Sequence, residues 1–255
     1  MSLTINLSDR TALVTGSSQG IGAAIARALH RAGARVVVNH PGGLAGRDAD
    51  SLRDELESAR AGTTMVIEAD VADPSAVEAM MRRVADEWSG LDILVNNAGI
   101  LRDRSILKMT PEEWRSVLDV DLGGVFFGCK YGLPILRDGG AIVSIGSLAA
   151  RMGFHGQSNY AAAKAGVHAL TRVLARECSR RSIRVNAVAP GVIDTPIRAA
   201  MPEEARRDML AKTAASLQVG RVGQGEDIAR QILAFMANGF ATGSIVYIDG
   251  GALVS

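Results

Sequence analysis

Tyr160 and Lys164 are the two side chains of this chain that could most directly carry out proton chemistry. They are spaced i and i+4, so on a helix they share one face. An ammonium beside a phenol favours the phenolate and lowers the tyrosine pKa from its usual value of about 10. That change brings a phenol closer to a pKa useful for proton transfer near neutral pH. Isolated Tyr and Lys at this spacing usually form only an exposed helix face, so the pair needs support from other motifs.

Ser147 follows the apolar run at residues 141–145, which is typical of a buried strand. A serine at the end of such a strand lies at the carboxyl edge of the sheet, where open α/β sheets bind ligands. Its hydroxyl would there hold a carbonyl oxygen beside the tyrosine. Ser147, Tyr160 and Lys164 are therefore our candidate catalytic residues.

Residues 15–22 read T-G-S-S-Q-G-I-G, between a predicted strand and a predicted helix. The glycines let the backbone turn tightly and approach a pyrophosphate without a Cβ clash. The helix that begins here directs free N–H groups and its positive dipole end at the anion. A turn that only packs the strand on the helix is the alternative reading. The predicted cofactor contacts in this loop are Gly16, Ser17, Ser18, Gln19, Gly20, Ile21 and Gly22.

The end of the second predicted strand bears on the choice between NAD and NADP. An acid at this point accepts from the ribose 2′-OH of NAD, and a nearby Arg accommodates the 2′-phosphate of NADP. Asn39 and His40 occupy this end, and neither is acidic. Arg47 lies in the following tract, whereas the glycine loop has Gln19 and no Arg. The sequence favours NADP(H), with NAD(H) as the alternative and a solvated turn as the other role for His40.

Seven short apolar runs alternate with longer amphipathic stretches and would position these residues. These runs are rich in Val and Ile and are apolar at both odd and even positions. This pattern indicates strands buried on both faces, which need helices above and below the sheet. The predicted fold is α/β: a single doubly wound Rossmann-type domain over residues 1–255, with a seven-stranded parallel sheet and helices on both faces. The predicted strands are 11–15, 35–39, 64–68, 92–95, 141–145, 183–189 and 244–248.

The predicted helices are 21–33, 50–61, 74–88, 111–136 and 159–179. Thr110-Pro-Glu-Glu113 has the composition of a capping box with Pro at the first helical position, and Asp73-Pro74 resembles it. Residues 42–46 are rich in glycine and are predicted to be a flexible joint after the second strand.

The composition excludes several classes of function. The 255 residues include 28 Lys and Arg against 27 Asp and Glu, a formal charge of +1, which gives no electrostatic reason to expect nucleic acid or a membrane as partner. Two cysteines suit a reducing compartment, and the four histidines lack the spacing of metal ligands. We see neither a signal peptide nor a membrane-spanning run, so the expected location is cytoplasmic and the expected partner is a small molecule.

Further motifs make the chain resemble the short-chain dehydrogenase/reductase family over almost its whole length. Asn96-Asn-Ala-Gly99 follows the fourth predicted strand, Pro190-Gly191 follows the sixth, and Asp249-Gly-Gly251 lies near the end. They occur in the family's order and spacing, together with the glycine loop and Tyr-x-x-x-Lys. The chain looks similar to the 3-oxoacyl carrier-protein reductases of this family.

The resemblance implies roles that patterning alone does not supply. Tyr160 would transfer the proton between enzyme and substrate oxygen, Lys164 would also hold the nicotinamide ribose, and Ser147 would orient and polarise the substrate oxygen. Residues 195–217 would form a mobile substrate lid. The family usually assembles as a homotetramer on the helices after the fourth and fifth strands and on the last strand. The further cofactor contacts that it implies are Asp70, Val71, Asn97, Ala98, Gly99, Pro190, Gly191, Ile193 and Thr195.

Asp121 departs from the family pattern. Many members have an Asn in the long helix after the fourth strand, in a pattern like V-N-L-x-G, where this chain reads V-D-L-G-G at residues 120–124. That Asn supports a water chain to the lysine. An ionised Asp accepts hydrogen bonds but does not donate them, and its charge would hold Lys164 protonated more firmly. We count Asp121 among the catalytic candidates, and the alternative is that it pairs elsewhere.

The expected activity is hydride transfer between a nicotinamide and a carbonyl or secondary alcohol, with a 3-oxoacyl thioester or another ketone as first substrate. A sugar or polyol dehydrogenase of the same family is the alternative. A nucleotide-binding regulator without turnover usually lacks the tyrosine or the lysine, and both are present here. A cofactor-free dehalogenase of this fold replaces the glycine loop, which is intact.

Overall fold

A single seven-stranded sheet, in which all neighbouring strands are parallel, organises the computed structural model, which describes residues 5–198 and 201–254. The strands are β1 (Thr11–Val14), β2 (Arg35–His40), β3 (Thr64–Glu68), β4 (Leu91–Asn96), β5 (Leu136–Ile145), β6 (Arg184–Pro190) and β7 (Ile245–Ile248). Their order is β3-β2-β1-β4-β5-β6-β7. The strand order reverses at β1 and β4, so the carboxyl ends of these strands border a crevice that is typical of a nucleotide site.

Helices cover both faces of this sheet. They are α1 (Gly20–Arg31), α2 (Leu44–Ala59), α3 (Pro74–Trp88), α4 (Pro111–Leu118), α5 (Gly124–Gly132), α6 (Ala149–Met152), α7 (Ser158–Glu177), α8 (Glu203–Ser216) and α9 (Gly225–Ala237). α1, α2 and α9 bury their apolar sides against one face, and α3, α5 and α7 pack on the other. The predicted doubly wound α/β fold with a seven-stranded parallel sheet is confirmed.

The second helix begins earlier than predicted. α2 starts at Leu44, so most of the tract at residues 42–46 is helical instead of flexible. Gly43 precedes the helix with a φ of +63°, a conformation that glycine adopts without strain. Gly46 lies in the first turn, where a Cβ would come within 3.3 Å of the His40 ring. The glycines in this tract therefore permit a turn and a close contact, and they do not interrupt the helix.

The long helix predicted at residues 111–136 contains a wider turn. α4 and α5 are joined without a break by a π-helical turn, Asp119–Gly123, and α5 ends at Gly132. The predicted capping box is present, because Thr110 Oγ1 accepts from the Glu113 N–H at 3.2 Å and Glu113 accepts from the Thr110 N–H at 3.0 Å. Single π turns within α-helices often lie at functional sites, and this one carries Asp121.

The segment predicted as a lid consists mainly of α8, which has no fully buried side chain. Residues 199 and 200 of that segment lie outside the described part of the chain, as do residues 1–4 and 255 of the predicted domain. Arg206 on α8 forms an ion pair with Asp194, which follows β6. In the ranges that the structure covers, none of the helices has the length and apolar character needed to cross a lipid bilayer.

Candidate active site

Helix α7 places Tyr160 and Lys164 on one face, as predicted. The Lys164 Nζ atom lies 5.5 Å from the centroid of the Tyr160 ring. The ammonium also donates to the Ile145 carbonyl at 3.1 Å, and the lysine side chain is almost completely buried. Lys164 is therefore fixed between the tyrosine and the carboxyl end of β5.

Ser147 lies two residues beyond that end of β5. The Gly146 N–H donates to the Val188 carbonyl at 2.7 Å, and the Leu148 N–H donates to the Pro190 carbonyl at 2.9 Å. These bonds to β6 fix the backbone on both sides of the serine. Its Oγ atom accepts from the Ala149 N–H at 3.1 Å, which leaves the hydroxyl hydrogen free to donate to a ligand.

Asp121 projects from the π turn and forms an ion pair with Lys164. Its Oδ2 atom lies 3.2 Å from Lys164 Nζ, and the carboxylate has no solvent exposure. Its Oδ1 atom accepts from the Ile100 N–H at 2.9 Å. A Cβ at Gly99 would lie 2.8 Å from Oδ2, so only glycine fits beside this carboxylate.

Burial and charge act in opposite directions on this pair. Burial raises the pKa of the Asp121 carboxyl, against the opposite influence of Lys164 and of the Ile100 N–H. Burial alone would lower the pKa of the Lys164 ammonium, but the charges of Asp121 and Tyr160 outweigh it, so the lysine pKa is raised. The lysine consequently stays protonated through the neutral range.

The glycine loop is held in place by the segment after β4. The Asn97 side-chain amide donates to the carbonyl oxygens of Thr15 at 2.8 Å and Gly16 at 2.9 Å. Thr15 Oγ1 accepts from the backbone N–H groups of Asn97 and Ala98. Gly16 has a φ of +58°, and a Cβ there would lie 2.8 Å from the Ala98 Cα atom. Asn97 and Ala98 thus shape the loop that would meet the cofactor.

The start of α1 fits a pyrophosphate. Gln19 is the N-cap residue but makes no side-chain capping bond, and the first turn contains no acidic residue. The first N–H groups of the helix are therefore available to an anion. Thr195 lies beside Gly20, since a Cβ on that glycine would be 3.5 Å from the threonine Cβ. The loop after β6 and the glycine loop therefore border the same crevice.

Asn39 supports the glycine loop through internal bonds. Its Oδ1 atom accepts from the Gly16 N–H at 3.1 Å, and its amide donates to the Ala69 carbonyl at 3.0 Å. Ser17 is buried and exchanges hydrogen bonds with the Asn39 backbone. The side chain of Asn39 is thereby engaged within the protein, next to the predicted cofactor loop.

His40 is buried at the end of β2, in contrast to a solvated turn residue. Its Nδ1 atom accepts from the Gly42 N–H at 3.1 Å, which leaves Nε2 to carry the proton when the ring is neutral. Arg47 is exposed in the first turn of α2. Both residues are therefore near the start of α2, next to the strand end that discriminates the two dinucleotides.

Asp70 and Val71 follow β3 in the expected place. Asp70 is exposed and accepts from the Ala72 N–H at 2.9 Å, so its backbone forms a tight turn. Val71 is buried against α5, where a Cβ on Gly124 would lie 2.7 Å from it.

Pro190 and Gly191 end β6 beside β7. The Gly191 N–H donates to the Ile248 carbonyl at 2.9 Å, and a Cβ on Gly191 would lie 2.7 Å from the Asp249 Cα atom. Ile193 pairs with Gly223 in an isolated parallel bridge, and Thr195 is buried. These contacts fix the backbone of the segment that the resemblance assigns to the nicotinamide.

Sequence reasoning missed residues that position the site without a motif of their own. The Ile100 N–H that holds Asp121 is a backbone group, so no side-chain pattern identifies it. The hydroxyl of Thr15 belongs to the glycine motif, but its bonds to the segment after β4 depend on the pairing of β1 with β4. The ion pair of Arg206 with Asp194 joins residues that sequence spacing does not relate.

Known proteins resemble this chain along nearly all of its length. Residues 16–252 match the family model described as enoyl-(acyl carrier protein) reductase. The chain is 40% identical over 247 residues to the 3-oxoacyl-(acyl-carrier-protein) reductase of Staphylococcus aureus, which covers 95% of this chain and 97% of that protein.

Solved structures agree with that likeness. A short-chain dehydrogenase from Burkholderia cenocepacia, crystallised in complex with NADP, has 36% identity and a TM-score of 0.88, over 97% of this chain and 99% of that one. A short-chain dehydrogenase/reductase from Brucella melitensis described as a glucose/ribitol dehydrogenase has 30% identity and a TM-score of 0.89, over 98% of each chain.

Proposed function

This chain belongs to the short-chain dehydrogenase/reductase family and is an NAD(P)-dependent oxidoreductase, and we propose that it reduces the ketone of a 3-oxoacyl thioester with NADPH. The observation that carries this proposal is the fixed group of Ser147, Tyr160 and Lys164 at the carboxyl edge of the sheet. The likeness to 3-oxoacyl reductases supports the substrate class.

Tyr160 is the proton donor in the proposed reaction. Ser147 and Tyr160 both donate to the substrate oxygen, and the tyrosine proton moves to that oxygen as the carbonyl is reduced. Lys164 stabilises the phenolate that remains, because its ammonium is buried beside the ring. A bound nicotinamide would supply the hydride that reduces the carbonyl carbon.

NADPH is the proposed cofactor because of the residues after β2. This strand ends in Asn39 and His40, so no carboxylate of that strand repels a 2′-phosphate. His40 lies just before α2 and Arg47 in its first turn, which has no acid. The structure from Burkholderia cenocepacia holds NADP, which supports the same choice. We propose direct contacts from the glycine loop, from residues 97–99 and from residues 190–195.

Apolar side chains around the site support an acyl substrate. Met152 and Phe154 follow Ser147, and Ile197 follows Thr195 on the other side; all three are exposed. Such residues suit an aliphatic chain better than a polyol, which needs polar partners for each hydroxyl. The likeness to a glucose/ribitol dehydrogenase keeps a sugar or polyol as the second candidate.

A substrate panel tests the proposal. A 3-oxoacyl thioester, an enoyl thioester, a simple ketone and a polyol are assayed with each cofactor by nicotinamide absorbance. We expect the highest kcat/KM for the 3-oxoacyl thioester with NADPH, and at least about tenfold tighter binding of NADPH than of NADH, which is about 1.4 kcal/mol. Turnover of a polyol alone, or of the enoyl thioester alone, would refute the substrate class.

Tyr160→Phe tests the proposed proton donor, because this substitution removes only the hydroxyl of the side chain. General acid catalysis contributes about 100-fold or more, so we expect at least that loss in kcat with unchanged NADPH binding. Full activity of the Phe variant would contradict the role of the tyrosine. The same assay with Ser147→Ala measures the contribution of the second donor.

We also propose that the functional unit is a homotetramer of single-domain chains in the cytoplasm. The exposed apolar residues of α5 and α7 support the assembly, as does β7, which is an edge strand of the sheet among the described residues, because such surfaces favour association. Cys129 and Cys178 are free and buried, in keeping with a reducing compartment. Residues 195–217 act as the lid in this proposal, and the ion pair of Arg206 with Asp194 holds α8 to the loop after β6.

A further inference from the structure

The buried ion pair of Lys164 with Asp121 changes the electrostatics of the proposed proton donor. A lysine ammonium next to a phenol favours the phenolate, because the positive charge stabilises the negative oxygen. Here a carboxylate lies 3.2 Å from the same ammonium, and neither side chain is open to solvent. The carboxylate opposes the positive charge of the ammonium, so the field that favours the phenolate is weaker than that of a lone lysine.

The surrounding structure holds the carboxylate in this position. The π turn places Asp121 within the helix face that meets α7, and the Ile100 N–H binds its Oδ1 atom. Gly99 leaves the space that the Oδ2 atom occupies. Three separate features thus accommodate a charged oxygen beside the lysine.

Other charged groups near the pair do not replace this effect. On the described segments that neighbour the pair in the chain or the fold, these groups include His168, Asp119, Arg102, Asp103, Arg104 and Glu113. His168 is buried one turn beyond the lysine, and its pKa is lowered to about 4 by burial and by the charges of Arg172 and Lys164, so it is neutral in the physiological range. Asp119 and Arg102 are exposed, Asp103 binds Gln157, and Arg104 pairs with Glu113 at 3.1 Å.

We propose that Asp121 is a positioning residue that neutralises the Lys164 ammonium and thereby keeps Tyr160 in its protonated form, which biases the site toward carbonyl reduction. This inference rests on the proposed function, because it assumes that Tyr160 is the proton donor. Reduction needs the phenol, whereas oxidation of an alcohol needs the phenolate to take the proton. A site that retains the phenol to higher pH is suited to the first direction.

Asp121→Asn tests this inference, since the amide preserves the size of the side chain and an oxygen for the Ile100 N–H. Removal of one negative charge should lower the titration midpoint of Tyr160 by about one pH unit, as expected for a charge several ångströms away in a protein interior. The midpoint is measured by tyrosinate absorbance of the protein without substrate. The chain has three tyrosines, so the same titration of a Tyr160→Phe variant identifies the part of the absorbance change that belongs to Tyr160.

The kinetic consequence is measured in both directions over about pH 6 to 10. In the Asn variant, the rise of the oxidation rate with pH should shift to lower pH by the same amount, with a smaller loss in reduction at neutral pH. Asp138→Asn is the matched control, because it removes an equally charged carboxylate that forms an exposed ion pair with Arg181. We expect the control to reproduce the wild-type midpoint.

Unchanged titration of Tyr160 in Asp121→Asn would overturn the inference, whatever the activity. A lower midpoint without any ketone reduction would support the electrostatic role and refute the proposed function instead. If the Asn variant does not fold by circular dichroism, the wild-type midpoint decides the matter. A Tyr160 midpoint above about 8 supports retention of the phenol, and one below about 7 contradicts it.

Discussion

Buried ionisable residues on α7 respond to their surroundings in opposite ways. The pKa of Lys164 is raised because Asp121 faces it, so the lysine stays protonated. No carboxylate among the described residues offsets the burial of His168, so its pKa is lowered and the ring is neutral. The His168 ring lies against the backbone of Gly146 and edge-on to Tyr247, with ring centroids 6.1 Å apart. Its buried Nε2 atom has no hydrogen-bond partner among the described residues. Helix position alone therefore does not decide the charge; the opposing groups do.

The neutral state of His168 predicts a dependence of stability on pH. In the unfolded chain the imidazole has its ordinary pKa near 6.5, and in the folded protein the pKa is lowered to about 4. The unfolded state thus binds the extra proton first, so stability falls as the pH drops from about 6.5 to about 4. After allowance for solvent screening we expect a loss on the order of 1 kcal/mol. Urea unfolding across this range measures it.

His168→Leu removes this contribution while leaving the carboxylates of the protein unchanged. The difference in unfolding free energy between wild type and the Leu variant should therefore shrink, or turn in favour of the variant, as the pH falls. His155→Leu, at an exposed loop position, is the control and should show no such trend. A wild-type-minus-Leu difference that is independent of pH would mean that His168 is not held neutral.

The sequence predicts individual residues well where a motif carries them and poorly where geometry does. Tyr160 and Lys164 follow from helical spacing, and the structure places both on one face. The support that Asn39 gives to the glycine loop was not predicted, because only the pairing of β1 with β2 brings its Oδ1 atom within reach of the Gly16 N–H. The partner of Asp121 was open in the sequence for the same reason.

At the scale of elements, the glycine loop and α1 are held together by contacts that admit no side chain. A Cβ on Gly22 would lie 2.5 Å from Asn97 Nδ2 and 2.5 Å from the Gly16 carbonyl oxygen. Both atoms belong to the hydrogen bond that fixes the loop, at 2.9 Å. The glycine therefore sets the distance between the start of α1 and the segment after β4.

Gly22→Ala should displace the start of α1 and disrupt this bond. Overpacking of this kind typically costs about 1–3 kcal/mol of stability, and the displaced N–H groups should weaken NADPH binding by about tenfold or more. Thermal unfolding and cofactor titration measure the two effects. Gly239→Ala is the matched control, because its Cβ would meet no atom within 4 Å. Equal NADPH affinity in both variants would show that the glycine loop does not contribute to cofactor binding.

Elements with a clear period were predicted, whereas local departures from it were not. The strand at residues 64–68 and the helix at 74–88 agree with the structure in their bounds. The π turn within the long helix was missed, because apolar periodicity does not distinguish one extra residue in a turn from a continuous helix. α9, which packs against α1, was also missed. The lid segment that precedes it has no apolar periodicity of the kind used to predict the other helices.

At the scale of the whole molecule, the parallel sheet brings distant motifs to one edge. β1, β4, β5 and β6 are neighbours in the sheet, so the segments that follow them meet although they are far apart in the chain. The helices that cover the sheet show a separate feature. α5 and α7 have apolar residues on their outer surfaces. Phe126 is 47% exposed and Val173 is 49% exposed. Exposed apolar residues on these helices agree with the proposed association.

The proposed homotetramer leads to a prediction about these two helices. Phe126→Asp and Val173→Asp place a carboxylate on each helix face, and a desolvated charge at an interface opposes association. In sedimentation experiments we expect the wild-type protein to have the mass of four chains. The variants should sediment as smaller species that retain the wild-type circular dichroism spectrum. Leu44→Asp is the control, because Leu44 is 73% exposed on α2, outside these faces. A wild-type monomer, or a tetramer that survives both substitutions, would place the interface elsewhere or exclude it.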